Sequence, residues 1–296
     1  MTHVLTLITH DVRLTSDHLD RVAALLPECG VPLWLAPETA ADLPFAPPPG
    51  RSNPHCMAAA RTALDGAPVD VVVQSSAHRR KRLLVADMDS TLIDQECIDE
   101  LADVLGCRDK VAAITERSMR GELPFEASLR ERVSLLAGLD LAAAMRIATE
   151  RVTVKAGAAT LVHTMRAHGA LTIIASGGFT LFTAHVAALI GVDRHYANTL
   201  VIEDGRLTGT LREPIFGRSS KRDTLCALRE ERGLAPEETL AVGDGANDLA
   251  MLEEAGVGVA FHAKPAVAAA ADVRIEHSDL TALLYLQGFS RAEFAE

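Results

Sequence analysis

Short apolar runs, separated by polar or glycine-rich breaks, recur along the whole chain. In the first quarter, residues 4–8, 31–35 and 69–74 read as strands. Residues 16–26 and 53–64 carry apolar positions at helical spacing, the first with Ser16 as N-cap. Pro32 cannot donate to a ladder, so the second strand lies at an edge or begins later. Pro44 and Pro47-Pro48-Pro49-Gly50 break the pattern and mark an irregular surface segment. The outcome is a small α+β unit over residues 1–78 without a catalytic cluster, ending in the polar, basic stretch 75–81.

From residue 79 to 296 strand and helix patterns alternate, which predicts a mostly parallel sheet covered by helices. Candidate strands are 83–87, 171–176, 239–243, 257–260 and 273–275, and Asp204-Gly205 predicts a hairpin over 199–211. About 80 residues separate the first two strands, whereas a plain crossover needs about a dozen. The excess, about 94–152, is a helical insert, placed to act as a lid over the strand ends.

Composition narrows the field. Of 296 residues, 48% are hydrophobic and 23% charged, which supplies material for a core. A net charge of −11 argues against nucleic acid as a partner; the basic run Arg79-Arg80-Lys81-Arg82 reads as a solvated linker. Five cysteines at irregular spacing, with no C-x-x-C, fit a reduced, cytoplasmic protein, and the start lacks a basic leader with a cleavage pattern. The apolar stretch 170–192 has the length of a membrane span, but Ser176-Gly177-Gly178 and His185 make it strand, turn and helix.

Four segments carry chemistry. Asp87-Met88-Asp89-Ser90-Thr91 follows the apolar run Leu83-Leu84-Val85-Ala86, so two carboxylates lie at a strand tip. One can attack phosphorus to form an acyl phosphate; the other, kept neutral by crowding, can protonate a leaving alkoxide. Ser176-Gly177-Gly178, at a second strand tip, suits a phosphoryl oxygen. Lys221 at a helix start favours an anion. Gly243-Asp244-Gly245-Ala246-Asn247-Asp248 follows a third strand; Asp244 can ligate Mg²⁺, while Asp248 ligates through water or orients Lys221. Cys97, with no histidine nearby in sequence, is a core residue rather than a nucleophile.

These parts need one another. At an effective dielectric of about 20, like charges about 4 Å apart cost about 4 kcal/mol. A phosphomonoester beside Asp87 and Asp244 therefore requires a cation, Lys221 and backbone N–H groups.

In this order, the four motifs make the chain resemble the phosphoserine phosphatases of the haloacid-dehalogenase superfamily over residues 80–290. The resemblance implies a Rossmann-like sheet with a helical cap, and Mg²⁺-dependent hydrolysis of O-phosphoserine, the last step of serine biosynthesis. It makes Asp87 the nucleophile, Asp89 the acid and base, and Lys221 a catalytic residue. Mg²⁺ would lie between Asp87, the Asp89 backbone carbonyl and Asp244, with Ser176, Gly177 and Asn247 facing the substrate. Phe125-Glu126-Ala127-Ser128-Leu129-Arg130-Glu131-Arg132-Val133 resembles the family's cap segment. There Arg132 would bind the substrate carboxylate and Glu96 its ammonium, with Met119 and Phe125 closing the pocket. The N-terminal unit is similar to an ACT-like domain; amino-acid binding, a scaffold role and homodimerisation stay open for it. So do two other readings of the chain, a phosphatase for another small phosphomonoester such as phosphoglycolate and a catalytically dead amino-acid sensor.

Overall fold

The structure is a computed structural model that describes residues 1–47, 53–119 and 122–295, except the Met119 side chain. In the N-terminal unit, β1 (His3–Ile8), α1 (Ser16–Ala23), β2 (Leu33–Ala36), β3 (Ala40–Phe45), α2 (Asn53–Ala63) and β4 (Asp70–Ser75) follow one another. The strands form an antiparallel sheet in the order β2-β3-β1-β4. Alternation assigns the faces. Leu5, Leu7, Leu43, Phe45, Val71 and Val73 pack on Leu19 and Val22 of α1 and Met57 and Ala60 of α2. Ile8 and Val72 belong instead to the main core.

Two expectations are corrected here. Pro44 does not break the chain; it lies in β3 opposite Val4 of β1. In an extended strand a residue's N and C=O point the same way. The Pro44 carbonyl accepts from Gly30 N–H at 2.8 Å, away from β1, so its missing N–H removes no bond of the β1 ladder. The N-cap of α1 is Thr15, not Ser16: Thr15 stays extended at φ −110°, and its hydroxyl accepts from His18 N–H. The Pro48-Pro49-Gly50 part of the break lies outside the described residues.

The second unit opens with β5 (Leu83–Ala86). Four helices follow: α3 (Cys97–Val104), α4 (Arg108–Met119), α5 (Phe125–Ser134) and α6 (Leu141–Glu150). The chain returns through α7 (Ala158–Ala167), β6 (Leu171–Phe179), α8 (Thr180–Ile190) and β7 (Arg194–Asn198). The hairpin β8 (Leu200–Glu203) and β9 (Arg206–Leu211) and then α9 (Arg218–Glu231) come next. The last elements are β10 (Thr239–Gly243), α10 (Leu249–Glu254), β11 (Val257–Phe261), α11 (Pro265–Ala270), β12 (Val273–Ile275) and α12 (Ala282–Tyr285).

Six strands form a parallel sheet in the order β12-β11-β10-β5-β6-β7. All four residues of β5 are buried because both faces of the sheet are covered. Leu84 and Ala86 face a core shared with Leu161, Phe182 and Leu284, while Leu83 and Val85 face Leu225, Leu228 and Met251. The sequence pattern missed β7, a polar, mostly half-exposed edge strand without an apolar run. The stretch 170–192 is β6 and α8, and among the described residues no helix is long and apolar enough to cross a membrane. The β8–β9 hairpin leans on the helical insert, where a Cβ at Gly209 (φ +80°) would lie 2.9 Å from that of Ala137.

The two units share a buried polar seam. Arg79 holds both oxygens of Asp42 (2.7 and 3.1 Å) and also donates to the carbonyls of Tyr285 and Leu286. Asp70 accepts the N–H groups of Glu276, His277 and Ser278.

Candidate active site

Register brings the motifs together. Ala86 of β5 lies opposite Val242 of β10 and Ile174 of β6. The next residues along these three adjacent strands, Asp87, Gly243-Asp244 and Ala175-Ser176, therefore come to one edge of the sheet. Asp87 N–H donates to Val242 O at 2.9 Å and closes that edge.

Lys221, in the first turn of α9, is fully buried. Its ammonium lies 2.8 Å from Asp87 Oδ1 and 2.6 Å from Asp248 Oδ1. The second oxygen of Asp248 accepts Gly245 N–H at 2.9 Å, so Asp248 holds the lysine and its own loop. Gly243 is needed for this turn, because a Cβ there would stand 2.4 Å from Asp248 Cγ. Asp87 Oδ1 also accepts Met88 N–H. Asp244 accepts from the Thr91 hydroxyl at 3.3 Å. The Ser176 hydroxyl accepts Gly178 N–H at 2.9 Å, which leaves its own proton to donate.

Negative charge outweighs positive here. Carboxylate oxygens of Asp87, Asp244 and Asp248 lie within 4.8 Å of one another. Burial, then Asp248, pushes the Asp87 carboxyl well up, against the pull of Lys221. The same two causes raise Asp244 to about 6. Burial and Glu96 raise Asp89 to about 7. Burial alone would lower Lys221, but Asp248 and Asp87 overcome it and hold the ammonium charged. A cluster of three buried carboxylates facing one ammonium has the charge and the hard oxygen donors of a divalent-cation site. Oδ2 of Asp87 and Oδ2 of Asp244 accept no hydrogen bond from any described residue.

A cavity of about 370 Å³ opens above this floor. Asp87, Asp89, Ser176, Gly177, Asp244 and Asn247 line it from the sheet, and Glu96, Phe125 and Arg132 from the insert. Phe125 lies over Gly177 and Gly217. Arg132 rests on Ser128 O and Thr115 Oγ1, both at 3.4 Å, and burial lowers its pKa against the pull of Glu96 and Asp99. Met119 ends α4, but its side chain lies outside the described residues.

Sequence reasoning missed Arg218 and Lys264, which also line the cavity. Arg218 precedes Lys221 by three residues on the same helix, and Lys264 follows the tip of β11, so both could have been found from their positions. The Cys97 thiol donates to Asp89 Oδ1 at 3.0 Å. Burial and Asp89 push its pKa well up, as suits a neutral donor and not a nucleophile.

The acidic strand tips, roofed by a helical insert, define a Rossmann-like α/β protein with a capped pocket. More closely, the chain belongs to the haloacid dehalogenase-like hydrolases, whose family model matches residues 84–253. The phosphoserine phosphatase of Streptomyces coelicolor is 46% identical over 227 residues, which are 76% of this chain and 55% of that protein. The chain spans between 55% and 65% of the length of three such curated relatives. A solved hydrolase of the same superfamily from Salmonella enterica serovar Typhi superposes with a TM-score of 0.83 at 30% identity, covering 96% of this chain and 98% of that one. A phospho-aspartyl intermediate analogue of a phosphoserine phosphatase superposes with a TM-score of 0.65 at 37% identity, covering 70% of this chain and 98% of that one.

Proposed function

We propose that this chain hydrolyses O-phosphoserine to serine and phosphate through an aspartyl phosphate on Asp87. The observation that carries the reading is the pairing of Asp87, held by Lys221, with Asp89, raised to about 7, in one cavity. The Asp87 carboxylate attacks phosphorus as the ester P–O bond breaks, and protonated Asp89 gives its proton to the serine alkoxide. Water then attacks the acyl phosphate, Asp89 takes its proton, and phosphate leaves Asp87 free. The Ser176 hydroxyl and Lys221 balance charge on the transferring group.

Asp87 and Asp244, with the Asp89 carbonyl, would hold Mg²⁺, which supplies positive charge at the phosphoryl oxygens. Glu96 and Arg132 offer opposite charges to the amino and carboxylate groups of a serine ester. The helical insert that carries them serves as the lid. Glu96 weighs against phosphoglycolate, which has no ammonium.

The test is phosphate release from a panel of small phosphomonoesters with magnesium, with and without chelator. O-Phosphoserine should lead, and Asp87→Asn should abolish turnover while leaving the circular dichroism spectrum unchanged. Full activity in Asp87→Asn, or indifference to O-phosphoserine, rejects the reading. The superposed phospho-aspartyl analogue supports the covalent step.

A further inference from the structure

Ser90 stands between the acidic pair and Glu96 with its backbone at φ +56°. A residue with a Cβ is disfavoured there, and glycine would sit without strain. Something other than backbone preference therefore suits serine to this position. Ser90 N–H donates to Gln95 O at 3.3 Å, and its hydroxyl donates to Glu96 Oε1 at 2.9 Å. The two bonds close the loop 90–96 on itself and turn the Glu96 carboxylate toward the cavity that it lines.

Glu96 needs such a tether. It is exposed; Asp89 and Asp244, which it pushes toward the neutral form, repel it, while Arg132 across the cavity attracts it. Drawn both ways at the protein surface, a glutamate without a hydrogen bond would spread over several rotamers. Among the described residues, the Ser90 hydroxyl is the one hydrogen-bond donor to its side chain. A single donor on a left-handed backbone thus offsets both repulsion and rotamer entropy.

We propose that Ser90 is a positioning residue for amino-group selection: its hydroxyl fixes the Glu96 carboxylate over the pocket, where it favours phosphomonoesters that carry an ammonium group. This rests on O-phosphoserine being the substrate. The role is indirect, since Ser90 acts through Glu96.

Steady-state kinetics with magnesium would compare wild type, Ser90→Gly, Ser90→Ala, Glu96→Gln and the Ser90→Gly/Glu96→Gln double variant. The substrates are O-phosphoserine and phosphoglycolate. Losing one solvent-exposed hydrogen bond should raise KM for O-phosphoserine about five- to tenfold in both Ser90 variants. The change in KM for phosphoglycolate should stay below about twofold, and Ser90→Gly should melt no lower than wild type. In the Glu96→Gln background, Ser90→Gly should add less than about twofold, because the two residues act as a unit. Equal KM increases for both substrates, or full multiplication of the two single effects, overturns the role of Ser90 and leaves the substrate reading standing. A wild-type protein that turns over phosphoglycolate but not O-phosphoserine removes both.

Discussion

Replacing Lys221 with methionine tests the electrostatic balance of the site directly. The ammonium is fully buried and contacts Asp87 and Asp248 at 2.8 and 2.6 Å. Without it, three carboxylates with oxygens within 4.8 Å of one another lose their buried countercharge, leaving Asp244 the exposed Lys264. At an effective dielectric of about 20, two unit charges at that separation repel by about 3.5 kcal/mol. Removing one partner of a buried pair typically costs about 3–5 kcal/mol, in line with that value. At about 2 °C per kcal/mol for a chain of this size, the melting temperature should fall by about 6–10 °C near pH 8. The loss has a sign in pH. Stranded carboxyls have folded-state pKa values above their unfolded values, so the penalty is absent below about pH 4 and grows as pH rises. Scanning calorimetry of Lys221→Met from pH 5 to pH 8 without divalent cations should show the gap to wild type widening with pH. Lys221→Met/Asp248→Asn should recover part of the stability, since one of the repelling charges is gone. A melting temperature within about 2 °C of wild type at pH 8, or a double variant no more stable than the single one, would refute the reasoning.

Three further predictions concern the same architecture. In the proposed reaction Asp89, raised to about 7, would donate a proton only in its neutral form. Turnover should fall as pH rises above about 7, and Asp89→Asn should gain stability over wild type, by about 4 kcal/mol at pH 8 and about 0.5 kcal/mol at pH 4, in urea unfolding. Magnesium at about 100 times its dissociation constant should stabilise the protein by about 2.7 kcal/mol; Asp244→Asn should lose most of this shift, and an unchanged shift would exclude Asp244 as a ligand. Asp70→Ala should cost about 2–4 kcal/mol in urea unfolding, because the N–H groups of residues 276–278 lose their acceptor; a loss under about 0.5 kcal/mol would show that water replaces it.

Much of the site was legible because its chemistry sits on strand tips. The apolar run before Asp87 and the one before Asp244 are buried strands that lie side by side in register. The helical insert was legible from length, and the hairpin from Asp204-Gly205, which forms its turn between β8 and β9. Three features were hidden, each for a physical reason. A proline normally ends a strand, but Pro44 escapes that rule because its nitrogen points to the side where β2 has already ended. An edge strand need not be apolar, so β7 left no pattern. Ser90 looked like part of a motif, and only the sign of its φ shows how far its backbone departs from what serine prefers. Arg218 and Lys264, by contrast, stand one helical turn before Lys221 and just past a strand tip, positions that the sequence did offer.

Both faces of the small N-terminal sheet are largely covered, with Leu33 and Trp34 of the edge strand β2 left exposed. One side is filled by α1 and α2, and the other rests on the larger unit through Ile8 and Val72, beside the seam of Arg79, Asp42 and Asp70. Room for a small metabolite lies at the rim along β2 and in a cavity of about 320 Å³ that Met57 and Val73 line together with Val257 and Val273 of the larger unit. Hinging the whole unit outward would pull Asp42 from Arg79 and uncover three amides at once. Whatever this appendage does, it does as a fixed part of the molecule rather than as a pendulum.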